Sequence, residues 1–177
     1  MYKSVLASTI LFIFFTLSCA PTETLSDTDS DSEAEVVAET SPEWFNPQIE
    51  STFESGQFTG YSHAIASNRS DAERLAKQAA MVNLRFEIDS YVEEVRVDLA
   101  ENQNESRYGS SRFIINLRNA VQNMNLDGAE AETEFYDESG IINSYSRLVI
   151  SLDDAKELLA RSINDNDFVN AMQPTVQ

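Results

Sequence analysis

The chain has 177 residues, with 12 Lys and Arg against 30 Asp and Glu, and one each of His, Cys and Trp. A single Cys excludes an internal disulfide, and one Cys with one His cannot furnish a Cys/His zinc site. A formal charge of −18 has the wrong sign for a phosphate backbone, so no nucleic acid is expected as a partner.

Residues 1–20 read MYKSVLASTILFIFFTLSCA. Lys3 makes a short positive start, and the apolar run after it is too short for a membrane span of about 20 residues. It fits the core of an export signal. Thr16-Leu17-Ser18-Cys19 then resembles a bacterial lipobox, in which a small residue precedes an obligatory Cys. That motif implies cleavage between Ser18 and Cys19, with diacylglycerol on the thiol and fatty chains such as palmitate. Thr16 stands where the motif usually has Leu. An ordinary signal peptidase cut after Ala20 is the alternative. The anchor is preferred, because the only thiol of the chain falls at the end of the apolar run. Ala20 in place of Asp favours the outer membrane, and several acyl chains make anchoring stable.

Residues 22–40 hold seven acids, no base and no aromatic. Such a segment cannot bury enough surface to offset its ordering entropy, so residues 19–40 are expected to form a disordered tether behind the lipid. Asp27, Asp29 and Asp31 have the spacing that opens a calcium loop. Ser32 replaces its Gly and Ala38 its closing Glu, so a solvated linker is preferred and no metal is expected.

The folded domain is expected over 41–164, with a weakly docked or frayed tail at 165–177. Ser41-Pro42 predicts a single helical turn that pins Trp44 and Phe45 onto the domain. A strand over 58–66 carries Gly60, Ser62, Ala64 and Ala66 on one face, with Tyr61, His63 and Ile65 on the other. Small side chains on a strand let a second backbone approach. Lone His63 has no nucleophile or carboxylate beside it by motif, so it is read as a surface or satisfied residue. Ser70-Asp71-Ala72-Glu73 predicts a capping box. The helix behind it runs to about Asn102, with an Ala72, Ala76, Ala79 and Ala80 ridge facing the small side of the strand. Phe113, Ile114, Leu117, Ala120, Val121 and Met124 predict a second amphipathic helix.

Residues 129–136 alternate strictly, with Ala129, Ala131, Thr133 and Phe135 inward and Glu130, Glu132 and Glu134 outward. Three carboxylates on one flat strand face point together into water, not across a cleft at a substrate as glycosidases require. Asp137-Glu138-Ser139-Gly140 predicts a hairpin turn, and 141–151 the returning strand. Ser151 predicts the cap of a last helix bearing Ala155, Leu158, Leu159 and Ile163. The order strand, long helix, helix, strand, strand, helix predicts an α+β domain. Its small antiparallel sheet of about three strands is packed by a long helix and two shorter ones. With no P-loop, dinucleotide fingerprint, nucleophile elbow or metal motif, neither cofactor nor catalytic residue is expected.

Trp44 behind the leader, Phe58-Thr59-Gly60-Tyr61-Ser62-His63-Ala64, the Ala-punctuated helix and the 134–140 hairpin with Tyr145 and Val149 together resemble the LPP-20 lipoprotein family of Gram-negative bacteria. The likeness covers about 42–163, with Ser62 where relatives commonly carry a second Gly. It implies an outer-membrane lipoprotein with its domain in the periplasm or surface-exposed. Some relatives are surface antigens or flagellar outer-membrane components. Two function classes follow. The first is a non-catalytic scaffold or assembly factor contacting envelope proteins through its sheet or long helix. The second is a small-ligand or glycan-binding domain with weak carboxylate-based hydrolase activity. A deep apolar pocket with convergent carboxylates favours the second, and a flat sheet face or exposed edge the first.

Overall fold

The structure, a computed structural model, describes residues 41–103 and 105–173. Cys19, Ser18 and the Asp27–Asp31 acids therefore lie outside the described residues. The observed class is the expected α+β, with one strand and one helix more than the sequence predicts. Strands β1 (Ser51–Glu54), β2 (Gln57–Ala66), β3 (Glu130–Glu138) and β4 (Ile141–Ser151) form one antiparallel sheet in the order β1-β2-β4-β3. Helix α1 spans Arg69–Val97, α2 Ser111–Gln122, α3 Leu152–Ile163 and α4 Asn166–Ala171.

One face of the sheet packs on α1. Here Phe58 opposes Ile150, Gly60 opposes Leu148, Ser62 opposes Ser146 and Ala64 opposes Ser144. Ala72, Ala76, Ala80, Leu84 and Ile88 form the facing ridge, each fully buried. The seam is close. A Cβ on Gly60 would stand 2.2 Å from the Ala80 carbonyl oxygen and 2.4 Å from the Leu84 nitrogen. The Ser62 hydroxyl donates to the Ala76 carbonyl at 2.5 Å. Small side chains on both partners are what allow backbone to meet backbone. Ala79, expected in the ridge, is only half-buried. Steps of four residues overshoot one turn by about 40° at 3.6 residues per turn, so the ridge winds through Ala80 and leaves Ala79 outside.

Several local expectations change. The helix cap is Asn68, not Ser70: its side-chain oxygen accepts from the Asp71 nitrogen at 2.9 Å, and its amide donates to the Asp71 carboxylate at 2.8 Å. An Asn two residues upstream fills the capping role first, and Ser70 becomes part of the first turn. Residues 41–45 form no helix but a turn closed from the Phe45 nitrogen to the Pro42 carbonyl at 3.0 Å. Pro47 disfavours helical geometry at Asn46, so the turn cannot propagate. It does lay Trp44 and Phe45 on the sheet.

Both hairpins close through two residues in left-handed geometry, Ser55-Gly56 (φ 52° and 74°) and Ser139-Gly140 (φ 54° and 84°). These dihedrals match the twist of flanking strands and make the 137–140 turn tighter than expected. Ser151 caps α3 as predicted, accepting from the Asp154 nitrogen at 3.0 Å. As far as Gln173, the last residue described, the tail is docked. α4 drives Phe168 and Met172 into the core, both fully buried, and Asp165 caps it through the Phe168 nitrogen at 3.0 Å. The domain therefore continues past Asn164, its lower end filled by Tyr108, Leu117, Val121, Leu159 and Phe168.

Candidate outer-face site on the sheet

The face of the sheet turned away from α1 is where the sequence-predicted groups meet. Strand register aligns Tyr61 with Arg147 and Glu132, His63 with Tyr145 and Glu134, and Ile65 with Asn143 and Tyr136. Period-two alternation puts all nine on one side. The 42–45 turn then covers part of this face.

Glu134 is half-buried rather than fully solvated. Its carboxylate accepts from the Trp44 indole N–H at 2.7 Å and from the Tyr136 hydroxyl at 3.1 Å. Glu132 instead takes the Arg147 guanidinium, with nitrogens at 2.6 and 2.5 Å. That guanidinium lies 5.3 Å from the centre of the Trp44 ring, within cation–π range. Glu130 alone of the three remains simply exposed. Alternation identifies the outward face, but Ala131, expected inward, is exposed, because β3 is an edge strand of the sheet. What it cannot register is a segment some ninety positions upstream folding back over it.

His63 stacks on Tyr145 with ring centres 4.4 Å apart at 17°, and its Nε2 lies 3.0 Å from the Asn143 side-chain oxygen. Its hydrogen-bond partner is thus a side-chain amide. Phe45 caps Tyr145 edge-on at 4.8 Å, Tyr136 meets the same ring at 5.7 Å, and Trp44 stacks near Tyr61 at 6.4 Å. Burial first, then the neighbouring Glu134, push the Tyr136 phenol above its ordinary value. Burial likewise raises Tyr145. Both phenols are therefore neutral donors at physiological pH.

The result is an aromatic plateau on which Glu132, Glu134 and Arg147 are already engaged with neighbours. Sequence reasoning singled out His63 and the glutamates but missed Trp44, Tyr136, Asn143 and Arg147 as their partners. The odd-numbered phase of 143–147 was the available signal.

A second feature is a groove of about 990 Å³ between the β1–β2 turn and α1, bordered by Phe53, Glu54, Glu87, Tyr91 and Glu94. Glu87 accepts from the Ser51 hydroxyl at 2.6 Å, while Glu93 at the rim is forked by Arg96 at 2.7 and 2.8 Å. Among the described residues no His, Cys, Asp and Glu cluster has metal-ligand geometry, and no helix is long and apolar enough to cross a membrane. The chain matches no family model, no curated protein and no solved structure.

Proposed function

We propose that this chain is a membrane-anchored lipoprotein of the bacterial cell envelope, similar to the LPP-20 family and anchored through Cys19. Its domain acts without catalysis, as a scaffold or assembly factor that binds other envelope proteins on the outer sheet face. The supporting observation is the state of that face. Glu132 and Glu134 are already engaged, the first by Arg147 and the second by Trp44 and Tyr136, and what the face offers a partner is the half-buried ring surface of Trp44, Tyr61 and Tyr136. Tyr, Trp and Arg are the side chains that dominate protein–protein contacts. His63 and Ile65 extend the plateau outward, Ile65 being 57% exposed.

The second reading, a small-ligand or glycan binder with hydrolase activity, draws on the acidic groove beside α1. Both readings face the same experiment. The chain is tagged, crosslinked in cells and captured, and its partners are identified by mass spectrometry beside an Ile65→Asp variant of equal abundance. Loss of a defined set of envelope proteins supports the scaffold role. An unchanged set refutes it. The anchor is checked by Cys19→Ala, which is expected to move the chain from the membrane to the soluble fraction and abolish fatty-acid labelling. A mature N-terminus at Pro21 refutes lipidation.

A further inference from the structure

We propose that Asp127 is a site of spontaneous isoaspartate formation, where the Gly128 backbone nitrogen closes on the Asp127 side chain and the main chain reopens through it. Asp127-Gly128 is the one place in the sequence where a glycine follows an Asp or Asn. A following glycine matters because it carries no Cβ to obstruct the approach of its own nitrogen to the preceding carboxyl.

The fold leaves this pair open to reaction. Both residues are exposed, in the turn between α2 and β3. The turn is closed from the Ala129 nitrogen to the Leu126 carbonyl at 3.0 Å, with Asp127 and Gly128 as its two central residues. Among the described residues no acceptor takes the Gly128 N–H and no donor holds the Asp127 carboxylate; only the Asp127 nitrogen is engaged, by the Asn125 side-chain oxygen at 2.8 Å. Nothing lies within 4 Å of the position a Gly128 Cβ would take. An open hollow of about 310 Å³, bordered by Asp127, Gly128, Asp154 and Arg161, admits water. Two other pairs with a small second residue are closed to this chemistry. Asp89-Ser90 lies in the α1 ladder, and Asn143-Ser144 lies in β4 between two strands with Ser144 fully buried. A backbone nitrogen committed to a helix or sheet hydrogen bond is not available to its neighbour.

The chemistry balances without a co-reactant. In the protonated fraction of the carboxyl, the Gly128 nitrogen gives up its proton and bonds to Asp127 Cγ, while the carboxyl hydroxyl leaves as water. The product is a cyclic succinimide. Water then adds to one of its two carbonyl carbons, and the carbon–nitrogen bond there breaks. Opening at Cγ restores Asp127. Opening at the main-chain carbonyl leaves the chain running through Cβ and Cγ, longer by one carbon, with a free α-carboxylate. The extra atom falls inside the ring that the Ala129–Leu126 hydrogen bond closes. Leu126 is held in the core, so the displacement goes to Ala129 and loosens the entry to β3, whose first pair is Glu130 with Val149. This inference goes beyond the envelope role and does not rest on it.

The test is peptide mapping of the full chain, kept folded in mild detergent at neutral pH for several weeks in heavy-oxygen water. Electron-transfer fragmentation separates isoaspartate from aspartate and places it in the chain. Isoaspartate is expected at position 127 ahead of every other described Asp and Asn, carrying one heavy oxygen, with faster amide exchange at Ala129 in the modified chains. Asp127→Glu keeps the charge but requires a larger ring, and should abolish the signal. Gly128→Ala should slow the reaction at least about tenfold, equivalent to about 1.4 kcal/mol on the barrier. Its fold should be unchanged, since the added methyl meets nothing. Isoaspartate absent from 127, or formed there only after unfolding in urea, overturns the proposal. So does a rate indifferent to Gly128→Ala.

Discussion

Gly60→Ala is the sharpest perturbation this fold admits. The residue sits in an ordinary strand conformation, outside the positive-φ positions, so an added methyl costs nothing through backbone dihedrals. The whole effect is steric. The new Cβ would lie 2.2 Å from the Ala80 oxygen, 2.4 Å from the Leu84 nitrogen and 2.8 Å from the Leu84 Cα. All three are backbone atoms, so no rotamer change relieves them. Restoring contact at about 3.5 Å requires α1 to withdraw by roughly 1 Å, and a gap of that size forfeits about half of each dispersion contact across it. Leu84, fully buried, makes about 50 contacts of ~0.15 kcal/mol. If about a third face the sheet, their halving loses roughly 1 kcal/mol. Phe58 across the seam loses a comparable amount, and Ala76 with Ala80 together about as much again. The total is about 3 kcal/mol, the upper end of overpacking penalties. Urea denaturation of the chain lacking residues 1–20 measures it, with an unchanged m-value certifying a stability effect. Gly128→Ala is the control, since nothing lies within 4 Å of its Cβ position, and should stay within about 0.5 kcal/mol. A Gly60→Ala cost below about 1 kcal/mol would refute the close seam.

The same assay tests the two sheet faces. Ala76→Leu should cost about 1–3 kcal/mol by overpacking the ridge. Glu132→Leu, which removes a half-exposed ion pair with Arg147, should cost no more than about 1 kcal/mol; the reverse order would mean the faces are misassigned. A third prediction concerns pH in dilute, monomeric chain. Burial holds the Asp89 carboxyl above its ordinary 3.8, so the native state takes up its proton more readily than the unfolded chain. Stability therefore falls as pH rises through that interval, and the penalty persists at neutral pH. Asp89→Asn should stabilise at pH 7 and lose its advantage below about pH 3.8. Glu93, held below its ordinary value by the Arg96 hydrogen bond, has the opposite sign: Glu93→Gln should destabilise at pH 7, with the deficit fading in acid. A pH-independent difference for either variant would contradict the assignment.

What sequence made legible was whatever repeats at a fixed period over enough residues. The α2 stripe, the β3 alternation and the small face of β2 are of this kind, while the Ser151 cap was legible from residue type alone. β1 escaped because Ser51–Glu54 offers only four positions, too few for alternation to register. α4 escaped for the same reason, its six residues amounting to under two turns. Asn68 was passed over because Ser70 and Glu73 supplied a competing cap two residues along. The candidate site was half legible: His63 and the glutamates stood out by residue type and were placed on the correct strand faces. Their partners Trp44, Asn143 and Arg147 are brought in by register and chain return, which are non-local: the phase of 143–147 assigns Asn143 and Arg147 to a face but not to a partner.

The strand order carries a consequence for how the domain assembles. β1–β2 and β3–β4 are local hairpins, each pivoting on a Ser-Gly pair whose left-handed geometry is available before any tertiary contact forms. The central β2–β4 pairing joins Phe58 to Ile150, with α1 and α2 between them in the chain. Loop-closure entropy makes such a distant join the slow step relative to either hairpin. The two halves of the sheet are therefore independent early units, and α1 is the template on which they meet. Because α1 already lies against β2 through Gly60 and Ser62, the β3–β4 hairpin docks on an edge presented at fixed angle and register. The close seam thus governs the route to the native state as well as its stability.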